Sequence, residues 1–537
     1  MVSLLQNYFG RIGGAIRRYE GQRSEQAVPN TSDYTLNFNY RSKRMTQDND
    51  RDKFFNATSN NIDSEDDKNK FDLFIKWLCN NGCKFPKLEL IDYGNEVRGC
   101  HTMAEIDEDE IVIQISLKCL ITVEMGKDTS IGRAILASNI DLDAPKHIFL
   151  MIFMLIDRKN PNSFFKPYYD ILPPTLHNMP IFWREDELAL LKGSYLLQQI
   201  EERNIAIKND YDAICSIAPD LATVCTLEEF KWARMCVCSR NFGIIVNGIK
   251  TAALVPYADM LNHYRPRETK WQFDDSLQGF TIIALQSLGN GVQVYDSYGQ
   301  KCNHRFLLNY GFSVENNVEP DGFCPNEVPI LLEFNRNDQL YEQKYFLGKT
   351  DGIFPNKRIR VCVGDNENSR SLFAMLRLIE ADQREWAQMM SDASNNMRFP
   401  SMRSTTFALN IVNEIRVMKH LRNLIEQYLS EYPTTYEEDC AALASNTVEP
   451  FSNERHVIIQ VKGEKEVLLF YKDFAETALK LLEMKDQVTY SEALEEVRET
   501  KHPFLQQYCR NTISRLRMET RSSENRSSFD FFRPISL

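Results

Sequence analysis

The chain has 537 residues, is 43% hydrophobic and carries a formal net charge of -12, which allows a sizeable core and two or three domains. The acidic balance leaves no overall basic footprint for nucleic acid, and no apolar run reaches the ~20 residues that span a bilayer, so neither is an expected partner. The 13 cysteines are scattered, which suits a reducing compartment, and the close pairs Cys79/Cys83 and Cys236/Cys238 lack a second pair at finger or ribbon spacing, so no metal is expected.

The first nineteen residues hold Arg11, Arg17 and Arg18, no acid, and Leu4, Leu5, Tyr8, Phe9 and Ile12 at near-helical spacing. That pattern suits a docked N-terminal helix, with an organelle-targeting segment as the alternative; otherwise a cytoplasmic or nuclear place is expected. Residues 20–68 are polar and poor in periodic apolar positions, the composition of a largely disordered lead-in. Phe71, Phe74, Ile75 and Leu78 then fall at i, i+3, i+4 and i+7, a helix stripe that Asn81-Gly82 closes. KLELIDYG at 87–94 and EIVIQIS at 110–116 alternate as strands.

Residues 122–240 read as mostly helical. HIFLMIFMLIDRK at 147–159 is a strongly apolar helix, and SFFKPYYDILPP at 163–174 is expected to stop it and run extended past its prolines. Residues 184–214 read as long helices with charged, solvated outer faces. TLEEFKWARMCVCSRNF at 226–242 opens with Thr226 and Glu229 at capping-box spacing. FTIIALQSL at 280–288 and VQVYDSY at 292–298, joined by the turn Gly289-Asn290-Gly291, predict a hairpin that delivers Tyr298 at a strand end. Amphipathic helices are predicted over 371–390, 405–432 and 456–484. The tail from about Leu516 is rich in Ser and Arg and ends in the apolar FDFFRPISL.

Two stretches concentrate the chemistry: ALVPYADMLNHY at 253–264 and DSYGQKCNHRFLLNYGF at 296–312. An Asn-His pair follows an apolar run; about thirty residues later come Tyr-Gly at a strand end, an Asn, and Tyr-Gly-Phe. In this order and spacing they resemble the SET-domain methyltransferases, and within them the branch like the Rubisco large-subunit lysine methyltransferase and the actin-histidine methyltransferase. GNEVRGC at 94–100 resembles that branch's first cofactor segment. NPNSFFKPYYDILPP at 160–174 resembles its helical insert, and the late helices with their TTYEED connection resemble its C-terminal domain. The likeness covers roughly residues 69–487.

The resemblance implies an α+β fold. A β-rich SET domain would span 69–328, with a helical insert at about 122–240. An all-helical, substrate-binding-like domain would follow over 329–515, with the lead-in 1–68 before and a tail 516–537 after. It implies S-adenosyl-L-methionine as cofactor and a protein substrate. Residue by residue, Glu96, Arg98, Arg240, Asp259, Asn262, His263 and Phe312 fall on cofactor positions, Tyr298 on the catalytic tyrosine, and Phe242, Ala258 and Tyr310 on the acceptor channel.

Those residue types suit methyl transfer to an amine, an in-line displacement that depends on proximity, orientation and local electrostatics. Lysine is the expected acceptor, because Phe242 offers an aromatic face and Ala258 leaves room, where histidine-type members place an amide and a Trp. Protein-histidine methylation and a non-catalytic SET-fold scaffold are the alternatives. The chain departs from the pattern at Cys302, where a serine is usual, at the turn Gly289-Asn290-Gly291, usually acidic, and at Ile244. Lys68 and Lys70 are the candidates for a basic residue before the first helix.

Overall fold

The computed structural model describes residues 65–94, 97–350, 358–364, 366–395, 407–445, 447–499 and 502–530. Residues 1–64, Glu96 and the final FDFFRPISL, apart from its first two residues, lie outside them, as do the side chains of residues 65–68, where the expected lead-in already forms the start of the first helix. Helix α1 (Glu65–Asn80) buries Phe74 and Leu78 completely. Gly82, at φ +82°, ends it by donating its N–H to the Cys79 carbonyl, a left-handed position that costs glycine nothing.

Among the described residues, ten short strands follow before residue 297: β1 (Leu88–Gly94), β2 (Val97–Thr102), β3 (Ile111–Ser116), β4 (Ile121–Thr122), β5 (Asn241–Val246), β6 (Ile249–Leu254), β7 (Asn262–His263), β8 (Thr269–Asp274), β9 (Gly279–Ala284) and β10 (Gln293–Asp296). They form three small sheets, ordered β1-β2-β10-β7, β3-β9-β8 and β4-β6-β5. Pairing is antiparallel except between β10 and β7.

The hairpin expected over 280–298 does not form. β9 pairs with β3 and β8, whereas β10 pairs with β2 and β7. The glycine turn instead carries the chain from one sheet to another. Leu288 bridges Ile106, the Gly291 N–H donates to the Thr102 carbonyl at 2.8 Å, and the Thr102 hydroxyl donates to the Gly289 carbonyl at 2.6 Å. Alternation identifies a strand, but the partner is chosen by the buried neighbours, here on β2.

Between β4 and β5 lie α2 (Val123–Lys127), α3 (Ser130–Ala137), α4 (Pro145–Asp157), α5 (Lys166–Tyr169), α6 (Glu185–Ala189), α7 (Leu196–Ile217), α8 (Leu221–Val224) and α9 (Leu227–Arg240). α4 buries Ile148 through Ile152, Met154 and Leu155, as a helix apolar on all faces must. α9 is capped as its sequence predicts: Glu229 N–H donates to Thr226 Oγ1 at 3.2 Å, and Thr226 N–H to Glu229 Oε2 at 2.9 Å.

Residues 163–174 do not run extended. Ser163 donates its hydroxyl to Asp157 Oδ2 at 2.5 Å and accepts the Phe165 N–H at 3.0 Å, which starts the single turn α5. Its Pro167 sits in the first turn, where the missing N–H costs nothing.

After β10 come α10 (Asn303–Tyr310) and a two-stranded sheet, β11 (Glu327–Leu331) with β12 (Arg358–Cys362), which interrupts the expected all-helical character. The remaining elements are α11 (Tyr341–Thr350), α12 (Glu367–Glu380), α13 (Gln383–Asn395), α14 (Ile411–Ser430), α15 (Tyr436–Ala444), α16 (Asn453–Glu483), α17 (Gln487–Arg498), α18 (Pro503–Tyr508) and α19 (Ser514–Asp530). The single helix expected over 371–390 is two. Asp382 and Glu385 exchange a reciprocal pair of 2.9 Å bonds that starts α13 anew. The 31-residue α16 is continuous. The tail begins docked, with Leu516 1% exposed and the Arg517 guanidinium 4.1 Å over the Tyr490 ring.

Buried apolar side chains form two clusters. One joins α1, the three sheets and most of the insert. The other joins β11, β12 and the late helices, and also takes in Trp183, Leu191, Leu196 and Ile200 from the insert and Leu307 and Leu308 from α10. Among the described residues no helix is long and apolar enough to cross a membrane.

Candidate active site

The parallel pairing of β7 with β10 sets Asn262 beside Tyr295 and His263 beside Asp296. Two residues on, the Tyr298 N–H donates to His263 Nδ1 at 3.0 Å and its phenol donates to the Leu261 carbonyl at 2.9 Å. An aromatic wall surrounds this phenol. The Tyr310 ring stacks at 4.8 Å, the His263 ring at 5.2 Å, and Phe312 stands edge-on at 6.2 Å. Phe306 lies 4.8 Å from His263 and 5.2 Å from Phe312. Gly311, at φ +78°, ends α10 and turns Phe312 back toward the wall; a Cβ there would strike the Asn178 side chain. Burial raises the Tyr298 phenol well above its ordinary value, with a smaller push from Asp296, and raises Tyr310 to about 12.

Beside the aromatic wall lies a cluster of charge. Arg240, the last residue of α9, donates to Asp259 Oδ2 at 3.1 Å and to the Asp259 carbonyl at 3.4 Å. The Tyr168 phenol, from the insert, donates to the same Oδ2 at 2.8 Å. The Asp259 side chain is 0% exposed and that of Arg240 16%. Arg98 lies over the Phe71 ring at 5.3 Å and donates to the Ile171 carbonyl at 3.1 Å. Burial and the Arg240 charge lower its pKa to about 10.

The Arg240 guanidinium thus pairs with a fully buried carboxylate, and Arg98 feels the charges of Arg240, Asp259 and Asp92. Arg240 Nε and Asp259 Oδ1 are buried with no hydrogen-bond partner. Such orphans are uncommon and point to a missing polar group. A ligand with a carboxylate and an amine at one end, as an amino-acid moiety has, fits both: its carboxylate suits the arginines and its amine suits the Asp259 oxygen. The Asn262 amide donates to the Arg98 carbonyl and to Gln293 Oε1, both at 2.8 Å, so it tethers β7 to β2 and β10 at the edge of this cluster.

A hydrogen bond joins Arg98 to Asn262, an ion pair joins Arg240 to Asp259, and ring contacts join His263, Tyr310 and Phe312 to Tyr298; the charges of Arg240 and Asp259 act on the Tyr298 phenol. Phe242 and Ala258 are placed differently. Phe242, half-buried on β5, packs edge-on to Phe280 at 5.0 Å and to Trp271 at 5.6 Å. Ala258, 1% exposed, follows Tyr257, which holds φ 75° under a 4.0 Å stack on Phe85. Positive φ at a non-glycine residue is strained backbone, common beside functional sites. Glu96 lies outside the described residues. The sequence reading missed Tyr168, Gln293, Phe306 and Asp296, whose carboxyl burial raises to about 6. Asp296 and Phe306 stood inside the stretch already singled out; Tyr168 is 91 residues from Asp259 and carries no local signal.

Residues 335–468 match the Rubisco LSMT substrate-binding family. Actin-histidine N-methyltransferases of Papio anubis and Homo sapiens are each 27% identical over 406 residues, spanning 73% of this chain and 66%, just under two thirds, of theirs. Among solved structures, the SET domain of LSMT bound to lysine and AdoHcy superposes with a TM-score of 0.64 at 20% identity, covering 81% of this chain and 97% of that one. Rubisco LSMT bound to AdoMet gives 0.63 at 20% identity with the same coverage. These superpositions establish the fold: a SET domain followed by a helical C-terminal region.

Proposed function

We propose that this chain, a member of the Rubisco LSMT-like and actin-histidine methyltransferase-like branch of SET-domain proteins, is an S-adenosylmethionine-dependent protein methyltransferase. One observation carries the reading: β7, β10 and the end of α9 bring Asn262, His263, Tyr298 and the Arg240–Asp259 pair to one place. A partner-binding scaffold has no need of that convergence. When bound, the cofactor supplies a methyl group on a cationic sulfur.

Arg98 and Arg240 would hold its carboxylate and Asp259 its amine. The rings of Phe306 and Phe312 exclude water and offer π faces to a cation. A phenol is protonated at physiological pH, and burial moves Tyr298 further in that direction. It therefore orients an incoming amine by hydrogen bonding and does not act as a phenolate base.

Lysine is the proposed acceptor. The aromatic Phe242 and the small Ala258 support it at the two positions where histidine-type members carry an amide and a Trp. Histidine is the second reading, favoured by the relatives whose name is actin-histidine N-methyltransferase. Titrating the purified chain with S-adenosylmethionine by calorimetry tests the first statement; no heat of binding and no thermal shift would leave the scaffold. Labelled-methyl transfer onto cell extract, with the modified residue mapped by mass spectrometry, tests the second. Label on imidazole nitrogen alone would replace lysine by histidine and leave the methyltransferase standing.

A further inference from the structure

Methyl transfer makes no use of a cluster that joins the start of α10 to the start of β11. Cys302 caps α10, His304 lies in its first turn, and Glu327 opens β11. Cys302 Sγ is 3.3 Å from His304 Nε2 and 3.8 Å from Glu327 Oε1, and His304 Nε2 is 3.5 Å from that same oxygen. Tetrahedral zinc with bonds of about 2.0–2.3 Å holds its ligand atoms about 3.3–3.6 Å apart. The observed triangle agrees within a few tenths of an ångström. Cys302 is 4% exposed and His304 3%, while the Glu327 side chain is 20% exposed and leaves a way in.

The geometry points to a zinc site formed by Cys302, His304 and Glu327, with a water as fourth ligand. One thiolate, one imidazole and one carboxylate form a donor set that zinc accepts. On binding, the Cys302 thiol releases its proton to solvent and the sulfur takes the metal. Thiolate, carboxylate and dication then sum to zero charge.

Two cations bear on the site. Arg360 on β12 is 3.7 Å from Glu327 Oε1, and Arg305 acts on both His304 and Glu327. They oppose an entering cation but tolerate a neutral filled site. Cys362 faces Glu327 across the β11–β12 ladder, and its sulfur accepts a bond from Asn366.

A filled site would clamp the first turn of α10 to β11 and so hold from behind the helix that ends at Tyr310. The sequence reading looked for paired cysteines at finger or ribbon spacing; Cys302 and His304 are two positions apart and Glu327 lies 25 residues after Cys302, a spacing that search does not cover.

The full-length chain, stripped with a chelator and dialysed, is titrated with Zn2+ by calorimetry. Co2+ is added to a second sample and its absorption recorded. The expected result is about one metal ion per chain and, with Co2+, a thiolate charge-transfer band in the near ultraviolet beside strong tetrahedral bands in the visible. Cys302→Ser should abolish the charge-transfer band. Cys302→Ser and His304→Gln should each weaken Zn2+ binding by more than the about 10–100-fold that loss of a supporting group costs. Under about 0.1 equivalent of Zn2+ bound, equal affinity in both variants, or a Co2+ spectrum without the thiolate band would each overturn the site. A wild-type cobalt spectrum without the thiolate band overturns the site even where a variant fails to fold.

Discussion

At the scale of single residues, Tyr298 and Arg240 are expected to fail in different ways. Tyr298→Phe removes only the phenol oxygen and its bond to the Leu261 carbonyl, while the ring keeps its stacks on His263 and Tyr310. Single-turnover assays should show methyl transfer falling by at least about tenfold, with S-adenosylmethionine affinity within about twofold of wild type. Turnover near wild type would remove Tyr298 from the reaction centre. Arg240→Ala is harsher, because it strands the fully buried Asp259 carboxylate. Chemical unfolding should show a loss of about 3–5 kcal/mol, with part of it recovered in the double variant Arg240→Ala/Asp259→Asn, where the buried charge is gone. Equal stability of the single and double variants would mean that Asp259 is not held as an ion by Arg240. What the sequence shows of this site follows the same division. Asn262, His263, Tyr298 and Phe312 are legible because two short motifs carry them. Tyr168 on Asp259 and the Arg98 carbonyl on Asn262 are contacts across 91 and 164 residues, and only the folded chain brings them together.

Elements are legible where their determinants are local. The Thr226–Glu229 cap is a relation of i to i+3, and the fully apolar α4 declares a buried helix. The partner of β10 is β2, about 190 residues earlier, and no period in the sequence carries that choice. The insert shows how close such packing is. A Cβ on Gly126 of α2 would fall directly onto the Phe149 carbonyl of α4, a backbone atom with no room to move. Gly126→Ala should therefore cost at least about 1–3 kcal/mol, read as a fall in Tm; an unchanged Tm would show that α2 can shift away. On α16, burial raises Glu464 from 4.5 to about 7, although Ser194 and Tyr432 donate to its oxygens and Gln460 and the Lys465–Asp439 pair lie beside it. A carboxyl whose folded pKa is raised favours the fold below its unfolded pKa and loses that contribution as pH rises through the folded value. Between about pH 4.5 and 7, Glu464→Gln should thus gain on wild type by up to about 1.4 kcal/mol per pH unit, measured by urea unfolding at each pH. A difference constant across that range would mean that folding does not raise the Glu464 pKa.

At the scale of the whole molecule, the division that matters is between two cores rather than between two stretches of chain. Residue 328 is where the periodicity changes, yet the second core reaches back across it. Trp183, Leu191, Leu196 and Ile200 of the insert, and Leu307 and Leu308 of α10, pack with the C-terminal helices. α7 spans both cores, with Leu196 and Ile200 in one and Ile207 and Ile214 in the other. Polar contacts follow the same path: Ser313 donates its N–H to His456 Nδ1 at 3.1 Å and its hydroxyl to the His456 carbonyl at 2.9 Å, both buried. Asn453 donates to Glu187 at 2.8 Å. Removing the residues after 328 would uncover six large apolar side chains, each worth about 1.5–3 kcal/mol when buried. Two of them sit on the helix that runs between the candidate catalytic tyrosine and Tyr310. A chain covering 65–328 is accordingly predicted to aggregate, or to stay monomeric only with S-adenosylmethionine binding lost, as gel filtration and calorimetry would report. The intact chain should unfold in one transition, because α7 cannot leave one core without disturbing the other. A monodisperse 65–328 fragment with wild-type cofactor affinity would show that the C-terminal helices only rest against the SET domain and that α10 is held in place by its own core alone.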